Sequence, residues 1–73
     1  MHVEFGYDVC AIHWVEIDVD DDEVAGMTEE EIIDYLRNNY EDELYDEAEK
    51  TCDYSVGILD AITFNGEEHW VGN

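Results

Sequence analysis

Carboxylates are the reactive groups this sequence supplies in quantity, and two of their arrangements have spacings with chemical meaning. The first is Asp18, Asp20, Asp22 and Glu29, at positions 1, 3, 5 and 12 of an EF-hand-like loop, with Val24 at the backbone-carbonyl position 7. That spacing gathers oxygen ligands around a hard cation such as Ca²⁺. Two positions depart from the pattern: Glu23 replaces the glycine of the sharp turn, and position 8 is Ala25. The incoming segment also reads as strand rather than helix. A calcium-binding loop is therefore the lesser reading, and no metal or cofactor is expected.

The second arrangement is a run of ten acids, Glu29, Glu30, Glu31, Asp34, Glu41, Asp42, Glu43, Asp46, Glu47 and Glu49, with Arg37 the one base among them and Lys50 just beyond. Exposed helices ordinarily place bases four residues from acids, each pair contributing a few tenths of a kcal/mol. Here Asp46–Lys50 and Arg37–Glu41 are the pairs of that kind, while Glu30–Asp34, Asp42–Asp46 and Glu43–Glu47 repel. A helix from about Thr28 to Thr51 would extend about 36 Å, close to one ~34–36 Å turn of DNA. Its carboxylates, with Asp20, Asp21, Asp22 and Glu23 of the preceding loop, have the chemistry to occupy phosphate pockets of a DNA-binding protein. The partner-binding residues expected from this are Asp20, Asp21, Asp22, Glu23, Glu29, Glu30, Asp34, Glu41, Asp42, Glu43, Asp46, Glu47 and Glu49.

Other constellations are weaker. His2, His13 and His69 with Cys10 and Cys52 could be drawn as a zinc site, but Cys10 and His13 are three apart in a strand and point to opposite faces. Core or rim packing is the better reading of each, and the two cysteines read as buried thiols rather than a disulfide. Ser55 is the only serine, and no spacing identifies a triad. A nuclease would need bases to hold phosphate, which this surface would repel. No enzymatic activity is expected.

The elements that must position these groups follow from periodicity. From Val3 to Val19 nearly all odd positions are apolar, the alternation of β structure, over a length that exceeds one ordinary strand. A bulge, turn or bend at Gly6-Tyr7-Asp8 is the expected interruption. Apolar Ile12 and Trp14 at even positions imply cover on both faces there. Asp20-Asp21-Asp22-Glu23 reads as a solvated loop. Thr28 and Glu31 have capping-box spacing for the helix. Its buried row, Ile32, Ile33, Leu36, Tyr40, Leu44 and Ala48, drifts about 40° per four-residue step. The row can stay buried only if the helix bends or breaks, with Asn38-Asn39 the expected place. Tyr35, Tyr40 and Tyr45 cannot all face inward, whereas Trp14 and Trp70 are expected in the core. Strand residues from Ser55 to Phe64 lead to Asn65-Gly66, the signal of a two-residue hairpin turn, pairing Phe64 with Glu67, Ile62 with His69 and Ala61 with Trp70. The fold class is α+β: a single domain over residues 1–73, with a small antiparallel sheet of three to four strands packed by one long acidic helix.

The totals agree with a folded chain. Twenty-two acids against two bases give a formal charge of −20 in 73 residues, yet 45% of the residues are apolar and 12% aromatic, unlike a disordered acidic tail. Adaptation to high salt would also yield excess acid, but six isoleucines, five tyrosines and four asparagines argue against it. The charge excludes binding to nucleic acid or anionic membrane and attracts basic surfaces. The N-terminal segment lacks the pattern of a leader, and no apolar run approaches a membrane span, so a cytoplasmic protein is expected.

In size, composition and the acidic stretch Asp18–Asp53, the chain resembles the small acidic DNA-mimic inhibitors that phages and mobile elements direct against host nucleic-acid-binding proteins. The resemblance implies a non-enzymatic inhibitor of a restriction, CRISPR or repair protein, acting in the host cytoplasm. A homodimer is compatible with it. The alternatives are an acidic interaction module that does not compete with DNA, and the calcium-binding domain.

Overall fold

The computed structural model describes residues 1–9 and 11–72. Two antiparallel strands, β1 (His2–Asp8) and β2 (Ile12–Asp18), lead through a 3₁₀ turn (Asp21–Val24) to helix α1 (Glu29–Thr51), then to β3 (Leu59–Phe64) and β4 (Glu67–Trp70). The four strands form one antiparallel sheet in the order β2-β1-β3-β4, and α1 packs against β1 and β2. This is the expected α+β sheet-and-helix architecture.

The alternating segment divides, as its length requires, but β1 ends at Asp8 and β2 begins at Ile12, beyond Gly6-Tyr7-Asp8, and Val9 N–H donates to the Ala11 carbonyl at 2.9 Å. The irregularity at Gly6-Tyr7 lies instead in the pairing with β3: Gly6 faces Ala61 and Tyr7 faces Leu59, leaving Asp60 as the extra residue of a bulge. Alternation then sorts the side chains. Val3, Phe5, Tyr7, Val15, Ile62 and Phe64 point toward the helix and are buried with Ile32, Leu36, Leu44 and Ala48 of α1. The hairpin has the expected register, with Asn65 at φ 53° and Gly66 at φ 77°, the left-handed pair a type I′ turn demands.

Helix α1 opens on the expected capping box: Thr28 Oγ1 accepts from Glu31 N–H at 3.3 Å, and the Glu31 carboxylate accepts from Thr28 N–H at 3.1 Å. It runs without a break through Asn38-Asn39, contrary to the expected interruption. Asn39 Nδ2 donates to the Tyr35 carbonyl at 2.8 Å, inside the helix's own ladder. The drift of the buried row is absorbed by long side chains instead. Leu36 and Ala48 are fully buried, while Ile33, Tyr35, Tyr40 and Tyr45 fold over the flanks of the stripe and pack on its core.

All three helix tyrosines therefore turn toward the body of the protein. Tyr45 donates to the Val56 carbonyl at 2.9 Å and stands edge-on to buried Tyr7, which donates to the Glu41 carbonyl at 2.8 Å. The tryptophans correct the sequence reading the other way. Trp14 is half-buried and Trp70 is 63% exposed, because register places both on the sheet face away from α1. Cover on both faces at Ile12 and Trp14 is thus only partial. Cys52 is a half-buried thiol at the helix C-cap, and Cys10 lies outside the described residues.

Candidate acidic interaction surface

The helix carries its acids in register with its length. Twenty-three residues rising 1.5 Å each give about 35 Å, nearly the 38 Å longest dimension of the domain. Glu29, Glu30, Asp34, Asp42, Glu43, Asp46, Glu47 and Glu49 are all exposed. Eighteen of the 22 acids are exposed and the other four, Glu4, Glu23, Glu41 and Asp60, are half-buried. Over a surface of 4653 Å² this is about 210 Å² per carboxylate, against about 110 Å² per charge on a B-DNA cylinder. Crowding onto half the surface would equalise the two.

Neutralisation along the helix is sparse. Arg37 Nε pairs with Glu41 at 3.2 Å, which draws Glu41 into a half-buried contact and removes it from the free surface. His69 Nδ1 lies 3.8 Å from Glu29. Asp34, Asp42, Glu43, Asp46, Glu47 and Glu49 make no side-chain hydrogen bond or ion pair among the described residues. In the preceding segment, Asp21 lies 3.0 Å from the Met1 amino nitrogen.

Asp21, Asp22 and Glu23 lie in the 3₁₀ turn Asp21–Val24 rather than in an open loop, with a capping box on Asp20. Asp20 Oδ1 accepts from Asp22 N–H, and Glu23 Oε2 accepts from Asp20 N–H, both at 3.3 Å. Glu23 departs most from the expected solvated role. Its Oε1 accepts hydrogen bonds from Tyr35 at 2.6 Å and Tyr40 at 2.7 Å, which lock the turn onto the helix. The two phenols, Tyr35 first, hold the Glu23 carboxyl below its ordinary range, and Glu23 in turn pushes Tyr40 up to about 12. Glu23 is an organising residue that no local pattern marks, because its partners are 12 and 17 positions away.

The calcium-loop residues do not converge. Glu29 stands with Glu67 and His69, their ligand atoms within 4.8 Å of one another, and Asp18, Asp20 and Asp22 belong to no three-ligand group among the described residues. The other such group, His2, Glu4 and Glu16, lies on the sheet. Its carboxylates, Glu4 foremost, hold the His2 imidazole above its ordinary range. His13 is bonded to Thr51 at 2.8 Å and the His69 ring stacks on Phe64, both rim packing. A depression of about 370 Å³ beside Tyr7, Arg37 and Tyr45 is lined, among the described residues, by no serine, cysteine or histidine. No helix among the described residues is long and apolar enough to cross a membrane.

Comparison of the chain with protein-family models, with curated proteins and with solved structures finds no match.

Proposed function

We propose that the protein is a non-enzymatic DNA mimic that inhibits a defence or DNA-processing protein by occupying its basic nucleic-acid-binding surface. The observation that carries the reading is the length of α1 over which exposed carboxylates go largely unneutralised, about 35 Å with one Arg–Glu ion pair and the His69–Glu29 approach among the described residues. On this reading the exposed Asp34, Asp42, Asp46 and Glu49, with Glu30, Glu43 and Glu47, serve in place of duplex phosphates. Asp20, Asp21, Asp22 and Glu29 extend the field around the helix start. Glu23 and Glu41, tied to tyrosines and to Arg37, hold the frame.

Like-charge neighbours on a helix are destabilising, so their retention calls for a use outside the fold. Long-range attraction would speed encounter with a basic channel, and added salt would weaken the complex steeply. Competition decides between this reading and an interaction module of another kind: a mimic and duplex DNA exclude each other from one site on the target. Simultaneous binding of both, or affinity unchanged between low and high salt, contradicts the proposal.

A further inference from the structure

The sheet face turned away from α1 carries a row that crosses all four strands. Trp14 on β2 stands opposite Gly6 on β1, Gly6 opposite Ala61 on β3, and Ala61 opposite Trp70 on β4. A Cβ at Gly6 would meet the Trp14 ring at 2.8 Å, so that indole lies over the glycine. Trp70, at the far end, is 63% exposed. Three strand spacings of about 4.8 Å set the two tryptophan backbones about 14 Å apart.

The neighbouring row is acidic. Glu16 stands opposite Glu4, Glu4 opposite Thr63, and Thr63 opposite Glu68. Each tryptophan thus has a carboxylate two residues along its own strand on the same face, Glu16 beside Trp14 and Glu68 beside Trp70.

We infer that this face is a docking surface for a basic protein segment that presents two arginines about 14 Å apart. One guanidinium stacks on Trp14 and pairs with Glu16; the other stacks on Trp70 and pairs with Glu68. A planar guanidinium lies flat on an indole while its edge donates two hydrogen bonds to a carboxylate. A lysine ammonium is a hydrated point charge that cannot present both surfaces at once. Charge selects the occupant. A second copy would set Glu4, Glu16 and Glu68 against their equivalents on another chain of charge −20, and nucleic acid would meet its own sign. The sheet separates this face from α1, so the inference stands whether or not the helix competes with DNA.

The test is a titration of the full ¹⁵N-labelled chain with nona-arginine and, separately, nona-lysine at one ionic strength, followed through the indole and amide signals. Trp70→Ala removes an exposed side chain, Glu68→Gln is a second variant on the same socket, and Asp53→Asn, exposed and outside both surfaces, is the control. Nona-arginine is expected to move both indole signals and to bind several-fold more tightly than nona-lysine. Trp70→Ala should weaken the arginine peptide about two- to fivefold, the range of an exposed cation–π contact, and narrow its preference over lysine. Glu68→Gln should act in the same direction, and Asp53→Asn should leave the preference unchanged. Shifts confined to the helix and the 3₁₀ turn, equal affinity for the two peptides, or wild-type affinity in both socket variants would overturn the inference. So would movement of the same indoles with protein concentration alone, which would give the face to a second copy.

Discussion

Neutralising the outer side of α1 should make the protein more stable while removing its proposed activity. Asp34→Asn, Asp42→Asn and Glu49→Gln together change the formal charge from −20 to −17 at exposed positions that make no hydrogen bond or ion pair among the described residues. They abolish four like-charge contacts: Glu30–Asp34 and Asp42–Asp46 at i,i+4, and Glu31–Asp34 and Asp46–Glu49 at i,i+3. The helpful Asp46–Lys50 spacing is left intact, but the favourable Asp34–Arg37 spacing at i,i+3 is lost. At about 0.2–0.5 kcal/mol per contact the net gain is about 0.6–1.5 kcal/mol. For a domain of this size that corresponds to a rise in Tm of about 4–10 °C. Urea and thermal unfolding at low ionic strength would measure it. At about 1 M salt the Debye length falls to about 3 Å, and the difference should largely vanish. A triple variant no more stable than the parent at low salt would refute the reasoning, as would a gain that persists undiminished at high salt.

Three further outcomes follow from the same structure. Leu36→Ala empties a fully buried position at the centre of the helix–sheet contact and should destabilise by about 2–5 kcal/mol in denaturant unfolding. That is a large share of the ~4–11 kcal/mol expected for a chain of this length. Because Glu23 is held below its ordinary pKa of 4.5, its contribution is present above that pH and lost as pH falls through the lowered value. Glu23→Gln should therefore flatten the acid limb of the stability profile, and an unchanged limb would show that the tyrosine contacts do not persist in solution. At the alkaline end Tyr40 is raised from 10.0 to about 12 by the same carboxylate, so the contact is intact below pH 10 and lost as pH rises through about 12. Spectrophotometric titration should find this late phenol in the parent, and an earlier one in Glu23→Gln.

Local signals in the sequence carried much of the fold. Thr28 and Glu31 marked the helix start, and Asn65-Gly66 set the β3–β4 register to the residue, because both motifs satisfy their own backbone geometry. The turn between β1 and β2 was misplaced, since residues 9–11 contain no glycine, proline or asparagine to announce it. What depended on strand order was not legible. Trp70 reads as a core residue until β4 proves to be an edge strand, with Trp70 on the face opposite α1. The break expected at Asn38-Asn39 came from treating the buried row as aliphatic alone. Tyrosines reaching to Glu23 and to the Val56 carbonyl widen the stripe and make a break unnecessary. The acids of the helix were visible as a composition and the Arg37–Glu41 pair as an i,i+4 spacing, but the withdrawal of Glu23 from the free surface required tertiary contacts.

Whether the helix carboxylates stand in for DNA phosphates is measured most directly by displacement. The protein is immobilised and exposed at low salt to a bacterial lysate cleared of nucleic acid. The column is then washed with short duplex DNA, with a neutral polymer as the control. Duplex DNA, and not the polymer, should release a DNA-binding protein, and a column of the Asp34→Asn, Asp42→Asn, Glu49→Gln variant should retain far less of it. Retained proteins that duplex DNA cannot displace, or equal retention on the variant column, would contradict DNA mimicry.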